Sequence, residues 1–151
     1  MQLRFNSEGN LEPGEYTVTW EELCQLFGGT PQRDRMLKGL KLAAQSIRAA
    51  GGLWLWLDGS FVTKKELVYG VPPNDFDVCW DVTGVDPQIL DPVLLDFSSG
   101  RVRQKMKFGG ELFPANLTEG KSGRTFRDFF QIDKNTGKAK GIVVLDLESL
   151  L

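Results

Sequence analysis

Strand and helix signals alternate along this chain, which predicts an α/β (α+β) domain: one mixed β-sheet with helices packed against it. Three observations carry that expectation. Leu53-Trp54-Leu55-Trp56-Leu57 has no polar residue on either face, as a strand covered on both sides requires. Met36, Leu37, Leu40, Ala43, Ala44 and Ile47 recur at three- and four-residue steps, the stripe of a helix lying on a core. Asp75-Phe76-Asp77-Val78-Cys79-Trp80-Asp81-Val82 alternates polar and apolar, broken at Cys79, and reads as a second strand. With 151 residues, 41% of them hydrophobic, the chain is the size of one domain with a core around a single sheet. The expected organisation is one domain over 1–151, with 1–18 as an N-terminal arm and 53–115 as the core that bears the chemistry.

In order, residues 1–18 mix a short apolar alternation at Leu3 and Phe5 with the turn formers Pro13-Gly14, predicting an extended arm or edge strand. Thr19-Trp20-Glu21-Glu22 has the form of a capping box, so a short helix should run to about Phe27 and stop at Gly28-Gly29. Thr30-Pro31 starts the long helix, because proline at the first helical position gives up no needed hydrogen bond; Gly51-Gly52 ends it. After the apolar strand the backbone turns at Asp58-Gly59-Ser60, and 64–74 is a loop by composition. Asp86-Pro87 and Asp91-Pro92 are cap-plus-proline signals for a helix or two turns over 87–97. A helix over 100–107 should turn Val102 and Met106 inward and Arg101, Arg103, Lys105 and Lys107 outward. Glu111-Leu112-Phe113-Pro114 predicts a short third strand, and Phe126, Phe129 and Phe130 an amphipathic helix. A turn at 134–137 precedes a last strand from Gly141 to Leu147.

Composition narrows the chemistry. The longest apolar run, Leu53 to Leu57, is far short of a membrane span, and the first residues read as neither signal nor transit peptide, so the expected location is the cytoplasm. Cys24 and Cys79 lack metal-site or redox spacing and read as small buried residues. No histidine is present, which removes Ser-His-Asp and Cys-His nucleophile systems and histidine-ligated zinc. Catalysis must then rest on carboxylates, hydroxyls, lysine, arginine or an oxygen-ligated metal. Residues 1–100 hold 8 Lys/Arg against 14 Asp/Glu, whereas 101–140 hold 10 against 4. That local excess is either a basic surface for phosphate or nucleic acid or an ordinary solvated surface.

Strand geometry places Asp75, Asp77, Cys79 and Asp81 on one face and Phe76, Val78, Trp80 and Val82 on the other, the apolar face being the buried one. Asp75 and Asp77 then project together, with Cα atoms about 6.5–7 Å apart. Two like charges so close are unfavourable unless a cation neutralises them. Mg2+ (or Mn2+) suits carboxylate oxygen and takes its remaining ligands from water and phosphate. Alone, an Asp-x-Asp pair is an ordinary solvated edge, and a lone Gly59-Ser60 is an ordinary turn. Together they combine a bend that permits close backbone approach, a hydroxyl and an amide suited to phosphate oxygens, and a cation-binding pair.

The stretch from Leu53 to Trp80 resembles the signature of the nucleotidyltransferase superfamily, typified by DNA polymerase beta and the minimal nucleotidyltransferases: an apolar strand, Gly-Ser, a spacer of about a dozen residues, then Asp-x-Asp among apolar residues. Here these are Leu53 to Leu57, Gly59-Ser60, a fourteen-residue spacer from Phe61 to Asn74, and Asp75-Phe76-Asp77-Val78. The whole chain also resembles a group of small bacterial and phage-associated proteins of that fold, ending in a Phe-Phe-Gln-x-Asp…Lys-Gly-Ile-Val pattern like Phe129 to Val143.

The resemblance implies metal-dependent transfer of a nucleotidyl group from a nucleoside triphosphate to a hydroxyl of an RNA end or a protein, in a toxin-antitoxin or phage-defence setting with a cognate partner protein. Asp75 and Asp77 would hold the metal, and Gly59 and Ser60 the terminal phosphates. It also implies a third carboxylate on a neighbouring strand. Glu111 stands in that place and would complete the metal site on the acceptor side, favouring deprotonation of the attacking hydroxyl, although the family more often has aspartate there; Asp96, Asp146 and Asp81 are its rivals. Lys64, Lys65, Arg101 and Arg103 are candidates for phosphate contacts. The alternatives are a non-catalytic interaction or antitoxin-like subunit of the same fold, since little chain is left for a second helical domain, and a metal-free nucleic-acid-binding module.

Overall fold

The computed structural model describes residues 3–133 and 136–150. Its centre is strand β2 (Trp54–Asp58), the apolar run of the sequence displaced by one residue. β2 pairs antiparallel with β3 (Phe76–Trp80) on one side and with β5 (Ile142–Asp146) on the other. β1 (Glu15–Val18) lies parallel to β5, and β4 (Gly110–Pro114) lies parallel to β3. The resulting five-stranded mixed sheet has the order β1-β5-β2-β3-β4, which puts the acidic strand β3 beside the centre and the N-terminal arm at one edge.

The helices follow their local signals. In α1 (Trp20–Phe27) the Thr19 hydroxyl accepts from the Glu22 amide at 3.2 Å while the Glu22 carboxylate accepts from the Thr19 amide at 3.0 Å, a complete capping box. α2 (Pro31–Ala49) begins with the Thr30 hydroxyl accepting from the Arg33 amide and buries Met36, Leu37, Leu40, Ala43, Ala44 and Ile47, the predicted stripe. At Gly39 a β-carbon would lie 1.9 Å from the Phe108 carbonyl oxygen, so α2 and α4 (Ser98–Phe108) pack backbone to backbone. Among the described residues no helix is long and apolar enough to cross a membrane.

Three local expectations differ from the structure, and that for 87–97 is met in its second form, turns. The 64–74 segment contains a short helix, α3 (Lys65–Tyr69), closed by Gly70 at φ 73°. Residues 87–97 form turns: Asp86 and Asp91 each accept from an amide two residues on, and a 3-10 turn runs over Pro92–Leu95. α4 has the expected period but the other phase: Val102 and Met106 are exposed, and Gln104 and Phe108 are buried. The buried Gln104 amide donates to the Leu94 carbonyl and its oxygen accepts from the Leu112 amide, so it closes backbone groups at edge strand β4 that an apolar side chain would strand. The turn predicted at 134–137 includes two positions outside the described residues.

The third difference positions the site. Leu55, Leu57, Phe76, Val78, Trp80, Leu112 and Val143 point into the main core, beneath the helices. The opposite face of the sheet is also covered. There Trp56, Cys79, Ile142 and Val144 meet Phe113, Phe130 and the rings of α5 (Phe126–Phe129). β3 therefore alternates between two packed layers, and the 113–130 segment covers the middle of its acidic face.

Candidate functional site at the acidic end of the sheet

Register builds the site. Asp58 ends β2 directly opposite Asp77 of β3, and Asp77 stands directly beside Glu111 of β4. All three belong to the face that carries Trp56, Cys79 and Phe113, so a row of carboxylates crosses three neighbouring strands. Asp75 lies just before β3 on the same side. Gly59 then turns the chain at φ 83°, a left-handed conformation that glycine adopts without penalty; a β-carbon there would stand 3.0 Å from an Asp77 carboxylate oxygen. Ser60 opens a 3-10 turn (Ser60–Val62) held by the Thr63 hydroxyl, which donates to the Ser60 carbonyl at 2.8 Å.

These groups share one cavity of about 420 Å³. Asp58, Gly59, Ser60, Asp75, Asp77 and Glu111 form its acidic end with Lys65 and Lys140. Phe113, Phe126, Phe129 and Phe130 form its opposite wall.

The charges are unequally served. Lys140 Nζ lies 2.8 Å from Asp58 Oδ1, with both side chains largely buried. Burial pushes the Asp58 carboxyl upward, and Lys140 opposes the shift. Glu111 is held by Lys105 at 2.9 Å and Arg101 at 3.4 Å. Asp77 has no ion pair among the described residues. Burial first, then the charges of Asp58, Glu111 and Asp75, push it from 3.8 to about 7. Among the described residues no three or more acidic or sulfur ligands are gathered at ligating distance. The oxygen donors around Asp77 are nonetheless of the type that Mg2+ or Mn2+ takes, and among the described residues neither Asp75 nor Asp77 has an ion pair, whereas Asp58 and Glu111 do.

Of the residues singled out from sequence, Asp75, Asp77, Glu111, Gly59 and Ser60 come together. Arg101 touches the site through Glu111 and through the Phe113 ring, 5.3 Å from its guanidinium. Lys64 lies outside it, its ammonium 4.7 Å from the centre of the Phe5 ring; the adjacent Lys65 lines the cavity instead. Arg103 pairs with Asp96 at 3.1 Å, away from the cavity. The rival carboxylates have local duties: Asp96 also accepts from Ser98, Asp146 accepts from the Glu148 amide, and Asp81 accepts from the Thr83 amide at the far end of β3. The positive excess of 101–140 is largely taken up in ion pairs: Arg101 and Lys105 to Glu111, Arg103 to Asp96, Lys107 to Asp91, Arg127 to Glu15 and Lys140 to Asp58.

Sequence reading missed Asp58, Lys140 and the aromatic wall. Asp58 had a signal, since it continues the two-residue period of Trp54 and Trp56 into the turn. Lys140 had none, because the antiparallel pairing of β5 with β2 is what brings its segment to Asp58.

Fold and site together define a mixed α/β domain with an acidic cavity at one end of its sheet, half charged and half aromatic. The chain belongs to the family of unknown function DUF6932, whose model matches residues 3–146. No curated protein and no solved structure shows a significant match to it.

Proposed function

We propose that this protein carries the nucleotidyltransferase fold and transfers a nucleotidyl group from a nucleoside triphosphate to a hydroxyl of an RNA end or a protein. The observation that carries this reading is Asp77: a partly buried carboxylate among three others, without an ion pair among the described residues, against the Gly59 bend. Such a group favours a divalent cation that a polyphosphate accompanies.

In the reaction the acceptor hydroxyl oxygen bonds to the α-phosphorus as the bond from that phosphorus to the bridging oxygen breaks, and pyrophosphate leaves. Bound Mg2+ or Mn2+ would supply neutralisation of phosphate charge and an acidified acceptor hydroxyl. Asp75 and Asp77 hold that cation, and the Gly59-Ser60 bend takes the terminal phosphates with Lys65 beside it. Glu111, one strand over from Asp77, stands on the acceptor side, where a carboxylate accepts the hydroxyl proton.

A second reading, a non-catalytic member of the same fold, is favoured by a different observation. Lys140 already neutralises Asp58, and Lys105 with Arg101 neutralises Glu111. One experiment separates the two. The protein is incubated with each α-labelled nucleoside triphosphate, Mg2+, and an RNA pool or cell extract. Label transfer by the wild type that Asp77→Asn abolishes, with the fold retained, is the expected result. Absence of Mg2+-dependent triphosphate binding and of transfer in every mixture would leave the non-catalytic reading.

A further inference from the structure

The cavity that holds the carboxylates has a second wall that the phosphate chemistry does not use. Phe113 lies two residues beyond Glu111 on the same face of β4, so the aromatic wall begins about 6.5–7 Å from the acidic row. Its ring stacks on Phe126 with centroids 4.2 Å apart and planes 8° from parallel. Phe129 meets Phe126 edge-on, at 6.5 Å and 89°. Phe113, Phe126 and Phe129 are only partly buried, although each is a large apolar side chain. Rings that served the core alone would be sealed, as Phe61, Phe76 and Phe108 are beneath the other face. Here they front the same cavity as Asp77, Ser60 and Lys65. With a divalent cation on the carboxylates, as the nucleotidyl-transfer reading requires, a ligand that suits both walls has a flat aromatic end and an anionic end joined by a short polar link. A cavity of about 420 Å³ is of the size that small-ligand sites have.

We infer that Phe126 and Phe129, backed by the Phe113 ring that already stacks on Phe126 and Phe97, take the base of a purine nucleotide whose phosphates lie at the Gly59-Ser60 end. This rests on the nucleotidyl-transfer reading and adds to it which triphosphates the site accepts. Stacking on π-faces tolerates any base but grows with the overlapping ring area, so the two-ring purines gain more than the one-ring pyrimidines. No side-chain amide or carboxylate pairs with the base in this assignment, so adenine and guanine are accepted about equally.

The test is calorimetric titration of the full chain in Mg2+ with ATP, GTP, CTP, UTP, inorganic tripolyphosphate and adenosine. ATP and GTP are expected to bind about ten- to a hundredfold more tightly than tripolyphosphate, the range that one lost stack costs, with CTP and UTP between. Phe126→Leu and Phe129→Leu should each bring ATP down toward tripolyphosphate while leaving tripolyphosphate affinity unchanged; melting curves check that each variant folds. Should either variant unfold, the wild-type gap between ATP and tripolyphosphate decides alone. Equal affinity for the four triphosphates and tripolyphosphate would overturn the base site and leave the phosphate site standing. Adenosine binding without tripolyphosphate binding would keep the aromatic site and overturn the phosphate reading. Failure of every ligand to bind would overturn both.

Discussion

Burial and the neighbouring carboxylates push Asp77 from 3.8 to about 7, and the consequence is a stability that falls as pH rises through that window. The unfolded chain releases this proton near 3.8, whereas the folded chain keeps it to about 7. The folded state therefore binds more protons across that window. Its contribution is complete below 3.8 and is lost as pH climbs through about 7, a change on the order of 4 kcal/mol. Asp77→Asn removes the charge and keeps the size. Urea denaturation across the window should show the wild type losing stability while the variant stays flat and becomes the more stable of the two at about pH 8. A wild-type profile no steeper than the variant's would show that Asp77 ionises normally. The Asp58–Lys140 pair next to it shows the alternative solution to the same problem, a buried charge met by a fixed ammonium.

At the scale of elements, α4 shows where local signals stop short. Its hydrophobic spacing is helical and the helix forms, yet the side turned inward is set by Phe108 and by a glutamine that serves two backbone groups. Gln104→Leu has the volume and the helix propensity but leaves the Leu112 amide and the Leu94 carbonyl without that partner. Chemical denaturation should give a loss of about 2 kcal/mol, with β4 exchanging its amide protons faster than β2. An unchanged stability would mean that water closes both groups. α1 and α2 stood out in the sequence for the complementary reason: Thr19 with Glu22, and Thr30 with Pro31, are complete signals within four residues. The short α3 had only a weaker one, too brief for a hydrophobic period to show.

For the whole molecule, the proposed cation couples folding to the ionisation of the acidic row. A divalent ion that binds only the folded chain raises its stability by mass action. At about pH 8 Asp77 is ionised and offers that ion a ligand; at about pH 5.5 the proton competes for the same oxygens. Millimolar Mg2+ should raise the melting temperature by several degrees at the higher pH and scarcely at the lower, against a sodium control of equal ionic strength. A shift that is absent, or equal at both values, counts against a cation at this site.

The sequence by itself determined the strands and long helices, the Gly59-Ser60 bend, and the pairing of Asp75 with Asp77, because each rests on contacts between residues a few positions apart. Periodicity and capping need no knowledge of the rest of the chain. Only the tertiary structure decided that Asp58 and Glu111 flank Asp77, that Lys140 meets Asp58, that Lys65 rather than Lys64 lines the cavity, and that four phenylalanines close the acidic face. Those relations join segments as far apart as Asp58 and Lys140 through strand register. Register is a collective outcome of packing on both faces of a sheet, and no local stretch encodes it.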